Sequence, residues 1–544
     1  MESSKHFKLV FGLLIAILVL SAGYYVIFQD SWFDEATNSY KPWLTAEKLA
    51  YPFQDFVEKH PPVTFYLQAG WQGWFGPSIL AYRWLSLILL LGLAFLLYDS
   101  LRRVGGKWLG LFGLALLVFH PFVVGKLVTA SPFALIGVCS FLSVWFLQIE
   151  NWPIRRRVIL SAVAISLAFL SRYNMLPALV LLWLFVLLRY RWRYFGLAVI
   201  SSLAAIFVLE IPYLWLDPEY ALSFFFVMFG PLASVLPLDL LPLLPPTAAM
   251  TPSSLFGYFL NESRLKLVLQ VFTTLFPFIV LVLTGILFVL VEWRHRLRSF
   301  ARSHPLFLFG LAVIVSLFLA HFFFGPNRHK MNLLYFVPFL IWVAAYSAHL
   351  LTNYLREAGV WSKASRPFIV LAIASFLVTP ISVALSGNDI IFFNRWNYQD
   401  TDLKRIKRGG DYLASLTTTK DLILTIDNPD HVFLAGRLMV PERINRHDTF
   451  TDSPDEKLLA RFNRYNTEMF LRWLKQDADI FVFQKGTLFT RLEPIADKRG
   501  PEWLVAEVEK IVAERYQLLG RVAGVYPRKE ERGDGVLEIY RHVK

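Results

Sequence analysis

The chain has 544 residues, of which 56% are hydrophobic, 16% aromatic and only 17% charged, a composition too apolar for a soluble globular surface. The formal net charge of +13 does not point to nucleic acid, because Lys and Arg gather in short clusters between apolar runs and no nucleic-acid motif accompanies them. A single cysteine, Cys139, excludes an intramolecular disulfide and any cysteine-rich metal site.

The first apolar run ends at Phe28; it is longer than the core of a signal peptide and no small-residue cleavage site follows, so it reads as a retained span. Residues 29–78 form a polar, aromatic loop that carries the adjacent carboxylates Asp34 and Glu35 and then Glu58-Lys59-His60-Pro61-Pro62. Within it, Thr45 to Lys59 is predicted as an amphipathic helix lying on the membrane surface. Pro61-Pro62 is expected to fix an extended turn that starts a helix leading to Trp71 and Trp74, read as an interfacial aromatic belt.

Apolar runs then recur at 79–98, 108–124, 132–149, 158–170, 175–188, 194–212, 265–291, 305–324, 331–350 and 366–386. With the first they predict about eleven spans, and 158–170 with 175–188 also reads as one broken helix. With a cytoplasmic N-terminus, the clusters around Arg102, Arg155, Arg191, Arg298 and Lys363 all fall in inner loops, as the positive-inside tendency requires. The proline-broken 213–264 loop is then re-entrant or surface-lying, and the Asp34 loop and C-terminal region are external. From Asn388 the composition becomes that of a soluble domain. Strands are predicted at 422–426, 480–483 and 536–540, with helices at 468–476 and 503–516. The expected architecture is an α-helical polytopic membrane protein over 1–386 with a C-terminal soluble α/β domain over 387–544.

Neighbouring residues on an element point to different faces, so Asp34 and Glu35 need not share a role; Asp34 is read as a base and Glu35 as a positioning group. The external side offers Lys59, His60, Lys126, Arg172 and the cluster Arg328-His329-Lys330. Lys126 and Arg172, each taken alone, read as interfacial residues. Arg328-His329-Lys330 runs against the positive-inside tendency and so suggests an anionic ligand. His120, His321 and His349 lie singly near span ends and read as structural. No metal-site spacing is present, although Asp34, Glu35 and His60 are a set that could hold a divalent ion. A transporter would place charges near mid-membrane, whereas here the distinctive charges lie at span ends.

Five segments carry a family resemblance: Trp32-Phe33-Asp34-Glu35-Ala36; His60-Pro61-Pro62 with Phe65-Tyr66; Ser171-Arg172-Tyr173-Asn174; Arg328-His329-Lys330 leading to Tyr335 and Pro338; and Ala435-Gly436-Arg437. Together they resemble the GT-C glycosyltransferases that use polyprenyl-phosphate sugars, in the protein O-mannosyltransferase and lipid A aminoarabinose-transferase group. The resemblance implies a membrane enzyme with an external active site, Asp34 acting on the acceptor, inversion at the sugar carbon and no required metal or other cofactor. It implies as partners a polyprenyl-phosphate sugar donor, a glycan, lipid or protein acceptor, and the bilayer. Lys59 and His60 share the place of a family Lys-Pro that helps to bind the lipid phosphate. The C-terminal region is similar to the outer domains of bacterial members, which implies a bacterial cytoplasmic membrane with that domain periplasmic or external. A flippase for the same lipids, needing similar phosphate-binding cations, is the alternative.

Overall fold

Nearly uncharged runs long enough to cross a bilayer satisfy their backbone polar groups internally only as helices, and helices are what the computed structural model contains there. It describes residues 2–29, 33–49, 61–216, 274–324, 334–357, 402–427, 429–440, 465–526 and 535–543. Helix α1 spans Glu2–Phe28, α2 Phe33–Ala46, α3 Pro62–Phe75, α4 Ile79–Gly105, α5 Lys107–Val118, α6 Pro121–Leu127, α7 Phe133–Leu147, α8 Ile154–Phe169, α9 Leu176–Arg189 and α10 Trp192–Leu216. Three further helices, Phe276–Ser303, Pro305–Phe324 and Val337–Glu357, complete the apolar bundle among the described residues. The chain is a multi-pass membrane protein. Lys5–Phe28, Ile79–Gly105 and Trp192–Glu210 are each long and apolar enough to span, and α5 with α6 is apolar enough as a pair bent by 77°, the geometry of a broken span or of a re-entrant loop. The predicted run 366–386 and most of the 213–264 loop lie outside the described residues.

Of the amphipathic helix predicted over Thr45–Lys59, residues 50–59 lie outside the described residues, and Glu47–Leu49 form a turn. The loop also contains a helix not predicted there, α2, Phe33–Ala46. The stop is a six-to-one, five-to-two carbonyl closure: Leu49 N–H donates to Leu44 O at 2.9 Å and Lys48 N–H to Thr45 O at 3.1 Å. Lys48 occupies the left-handed position at φ 57°, where glycine is the usual occupant, so the stop carries no glycine signal. The expected start of α3 is observed: Pro61 is extended, at φ −64° and ψ 160°, and Pro62 opens the helix. Trp74 is 82% exposed, as an interfacial residue would be, whereas the Trp71 indole donates to Ala81 O at 2.7 Å and helps to fix the α3–α4 corner.

The C-terminal region builds a five-stranded sheet in the order β2-β1-β3-β5-β4, with β1 Leu422–Thr425, β2 Leu438–Met439, β3 Ile480–Gln484, β4 Tyr516–Val522 and β5 Leu537–His542. β1 pairs parallel with β2 and β3, and β5 pairs antiparallel with β3 and β4. The strands predicted at 422–426, 480–483 and 536–540 are β1, β3 and β5. The predicted 503–516 helix ends at Arg515, and Tyr516 already begins β4. Asp427 joins the loops after β1 and β3: its Oδ2 accepts from Gln484 N–H at 2.6 Å and the Tyr526 hydroxyl at 2.9 Å, and its Oδ1 pairs with Arg491 Nε at 3.0 Å. Arg437 of the Ala435-Gly436-Arg437 segment closes the C-terminal end of helix Asp402–Leu416, donating to Ala414 O at 2.9 Å and Thr417 O at 2.8 Å.

This domain docks on α2 through one phenol. Tyr40 donates its hydroxyl to Arg437 O at 3.0 Å and accepts from Met439 N–H at 2.8 Å, so both of its hydrogen-bonding roles are filled from the sheet edge. The rings of Tyr40 and Trp43 each meet Phe433 edge-on at 6.1 Å, and one apolar cluster runs from α2 through to β1 and β3. Tyr40→Phe keeps that aromatic packing but leaves a buried carbonyl and a buried N–H unpaired. It is expected to cost about 1–3 kcal/mol, seen as earlier thermal unfolding of the purified protein. An unshifted transition would show that the phenol is dispensable to docking.

His431, buried behind Phe433, donates from Nδ1 to Ile406 O at 3.1 Å. Burial holds its imidazole down at about 4, outweighing the raising effects of that carbonyl and of Asp427. The folded state therefore protonates at lower pH than the unfolded chain, whose histidine titrates near ~6.5. Stability from the neutral ring is fully present above about pH 6.5 and is lost as pH falls towards about 4. In denaturant titrations His431→Gln should flatten the dependence of stability on pH across that window; an unchanged slope would assign it to other groups.

Candidate active site

The acidic pair is positioned by an arginine inside the second span. Ser78 caps α4, its Oγ accepting from Ala81 N–H at 3.1 Å, and the Gln72 side chain holds Ser78 from both sides, donating to its carbonyl and accepting from its N–H at 3.1 Å each. One turn further on, Arg83 is fully buried, with 0% exposure, and water cannot solvate its charge. Its Nε donates to Glu35 Oε1 at 2.9 Å and its Nη2 to Glu35 Oε2 at 2.6 Å, a bidentate pair. Its Nη1 donates to Val26 O at 3.1 Å and Gln29 O at 3.0 Å, closing the C-terminal end of α1. Ala130 N–H adds a third donor to Glu35, at 2.6 Å on Oε1.

The turn before α7 is held from two more directions. Ser86 Oγ donates to Thr129 O at 2.8 Å and Asn38 Nδ2 to Ala130 O at 3.3 Å. Three residues on, the Phe133 ring lies 5.5 Å from the Tyr335 ring, and the Arg172 guanidinium lies 5.4 Å from the same Tyr335 ring. Arg172 follows the end of α8, where the start of α3 also docks: Val63 N–H donates to Leu170 O at 3.1 Å and Thr64 Oγ1 to Ser171 O at 3.2 Å. Glu35, the 129–133 turn, Tyr335, Arg172 and Pro61-Pro62 therefore form one connected constellation. It gathers segments far apart in the sequence.

Of the residues singled out in the sequence, Glu35 is 0% exposed with both oxygens on nitrogen donors, which suits it to holding α2 and poorly to a metal. Asp34 lies in the first turn of α2, one residue before Glu35, and its side chain is outside the described set. Arg172 is half-buried against Tyr335. Lys59, His60, Arg328, His329 and Lys330 lie outside the described residues, as does the His321 side chain. His120 is structural: its Nδ1 accepts from Val123 N–H at 3.4 Å at the start of α6 and its Nε2 donates to Thr274 O at 2.8 Å. His349 pairs with Asn353 at 3.1 Å. Among the described residues no group of three or more His, Cys, Asp or Glu gathers as a metal site. Sequence reasoning missed Arg83. Its signal was available: an arginine four residues into an otherwise apolar run must find an acid or be solvated.

Comparison with known proteins agrees with this architecture. Residues 59–215 match the dolichyl-phosphate-mannose-protein mannosyltransferase family, PMT_2. Among solved structures, ArnT from Cupriavidus metallidurans bound to undecaprenyl phosphate superposes with a TM-score of 0.54 at 12% identity, covering 98% of both chains. The apo state of that protein gives 0.52 at 13% identity over 100% of this chain and 99% of the other. The archaeal oligosaccharyltransferase AglB from Archaeoglobus fulgidus, in complex with an inhibitory peptide and a dolichol-phosphate, gives 0.53 at 11% identity over 98% and 88%. No curated protein sequence matches the chain. The fold of the chain is therefore like that of ArnT and of AglB.

Glu35→Gln removes the charge opposite a fully buried guanidinium with little change in shape. It is expected to destabilise the protein by about 3–5 kcal/mol, read as a lower melting temperature and a lower yield of inserted protein. Replacing both partners by apolar residues, Glu35→Met with Arg83→Met, should recover part of that loss. A Glu35→Gln protein as stable as wild type would show that the pair does not hold α2.

Proposed function

We propose that this protein is a membrane glycosyltransferase that moves a sugar from a polyprenyl-phosphate donor to a glycan, lipid or protein acceptor on the outer face of a cell membrane. The observation that carries the reading is the connected constellation from Glu35 to Arg172, which ties the helix bearing an acidic pair to a half-buried cation across four separate chain segments. The family match over 59–215 and the structural likeness to enzymes of lipid-phosphate sugars support the same class.

In this reading Asp34 takes the proton from the acceptor hydroxyl as that oxygen attacks the anomeric carbon, and the bond from this carbon to the phosphate oxygen breaks with inversion. The leaving group is a phosphate monoester, which departs as an anion and needs cations rather than a proton. Arg172 supplies one. Lys59, His60, Arg328, His329 and Lys330 are assigned to the same phosphate on their sequence positions. Glu35 acts by holding α2, and no metal is required by the chemistry. The arginine-rich helix ends face the cytoplasm, and the C-terminal domain lies outside with the acceptor.

The test is transfer from labelled polyprenyl-phosphate sugars by purified protein in bilayers. Asp34→Asn should reduce transfer by about 10²–10⁴-fold while donor binding stays near wild type, because basicity is lost with little change in shape. Retained turnover would remove Asp34 from the mechanism. Labelled lipid crossing the bilayer equally in both proteins, without transfer, would favour a flippase.

A further inference from the structure

Two residues of α2 grip a single residue of the turn before α7. Glu35 Oε1 accepts from Ala130 N–H at 2.6 Å, and Asn38 Nδ2 donates to Ala130 O at 3.3 Å. The two lie three positions apart, so they share a face of the helix and are separated by about 4.5 Å along its axis. A carbonyl only accepts, which fixes the Asn38 amide with its nitrogen towards Ala130. The turn is itself anchored to α4, where buried Ser86 donates to Thr129 O at 2.8 Å.

The two grips have different effects. The pair with Arg83 decides where α2 begins, but Glu35 reaches both partners through a long side chain with three rotatable bonds, which leaves slack for the helix to turn about its own axis. Tyr40 ties α2 to the C-terminal sheet and not to the helices that carry Arg172. Asn38 has a shorter arm and takes up the slack against the turn that leads to Phe133, Tyr335 and Arg172. Asp34 lies four residues before Asn38, on the same stripe of α2. Side-chain ends lie ~5–6 Å from a helix axis, so a rotation of about 10° carries them ~1 Å. A misplacement of that size at a reacting group costs about 10²-fold in rate.

We propose that Asn38 is a positioning residue for the transfer step: its hydrogen bond to Ala130 O sets the rotation of α2 and so aims Asp34 at the acceptor hydroxyl. This rests on the assignment of Asp34 as the base. The bond is neutral and only partly buried, so losing it costs little stability while it shifts the carboxylate on which the rate depends.

The test is a double-mutant cycle on full-length protein in nanodiscs, comparing wild type, Asn38→Ala, Asp34→Asn and the variant carrying both. Transfer to a cell-envelope extract is followed from undecaprenyl phosphate carrying labelled mannose, glucose or an aminopentose, with donor affinity and melting temperature measured on the same preparations. Asn38→Ala should lower kcat at least about tenfold, with donor Kd within about twofold of wild type and the melting temperature unchanged. In the Asp34→Asn protein the same change should alter the residual rate by less than about twofold, because a residue that acts only through Asp34 has nothing left to aim. An unchanged kcat in Asn38→Ala, a loss that multiplies with that of Asp34→Asn, or a fall in donor affinity or melting temperature that accounts for the fall in rate would each overturn the proposal and leave Asn38 a structural contact. If Asp34→Asn itself transfers at the wild-type rate, or wild type consumes none of the donors, it is the base or the donor assignment that falls, and the role of Asn38 with it.

Discussion

A guanidinium that water cannot reach must find its acceptors in the protein, and Arg83 finds them on two other pieces of chain. Two carbonyls end α1, one carboxylate begins α2, and the arginine itself belongs to α4. Glu35 in turn spends a lone pair on the backbone of Ala130, before α7. The cost of burying either charge alone is several kcal/mol, and each partner relieves the other only in this geometry. Such a pair contributes little net stability compared with apolar packing. Its effect is to make every nearby alternative expensive, which fixes the direction in which α2 leaves the membrane-spanning region.

That fixed departure matters because α2 depends for its position on what it packs against. Its sequence, Phe33–Ala46, mixes polar and aromatic residues, and it contains Pro42. A helix of this kind is marginal on its own and takes its stability from what it packs against. Here it is held at its start by an ion pair, at its middle by the C-terminal sheet, and at its end by the closure at Lys48. The second half of the constellation is built differently. Arg172 is half-buried, with its guanidinium over the Tyr335 ring, so its position is restricted by an aromatic face.

The apolar runs were legible because helix is nearly the only backbone solution in lipid, and the described parts of the runs are helical, with 108–124 broken into α5 and α6. The strands at 422, 480 and 536 were legible from short buried runs. What was missed has identifiable causes. The helix α2 was read as loop because its apolar positions are interrupted by Asn38, Lys41 and Pro42, and its stop because a lysine takes the left-handed position. β4 follows the preceding helix with no breaker between Arg515 and Tyr516, so periodicity alone ran through the boundary. Arg83 was not legible as a tie because a single charge in a long apolar run leaves the run apolar enough to span. Its partner could not be named from sequence, since Glu35 lies 48 residues away and equally resembles a reacting carboxylate.

The phenol of Tyr40 has one more effect. Among the described residues β2 ends the sheet, and a strand in that position normally presents unpaired backbone groups that invite another chain to add on. The groups offered by Arg437 and Met439 are already taken, by a side chain from the membrane half of the same molecule, and Phe433 beside them is covered by Trp43. At the opposite border the ladder of β4 slips between Leu518 and Gly520, an irregularity that spoils it as a template. One border is thus disarmed by the strand itself and the other only by its neighbour, so severing the C-terminal domain from α2 would bare an aggregation-prone edge rather than release a self-sufficient unit.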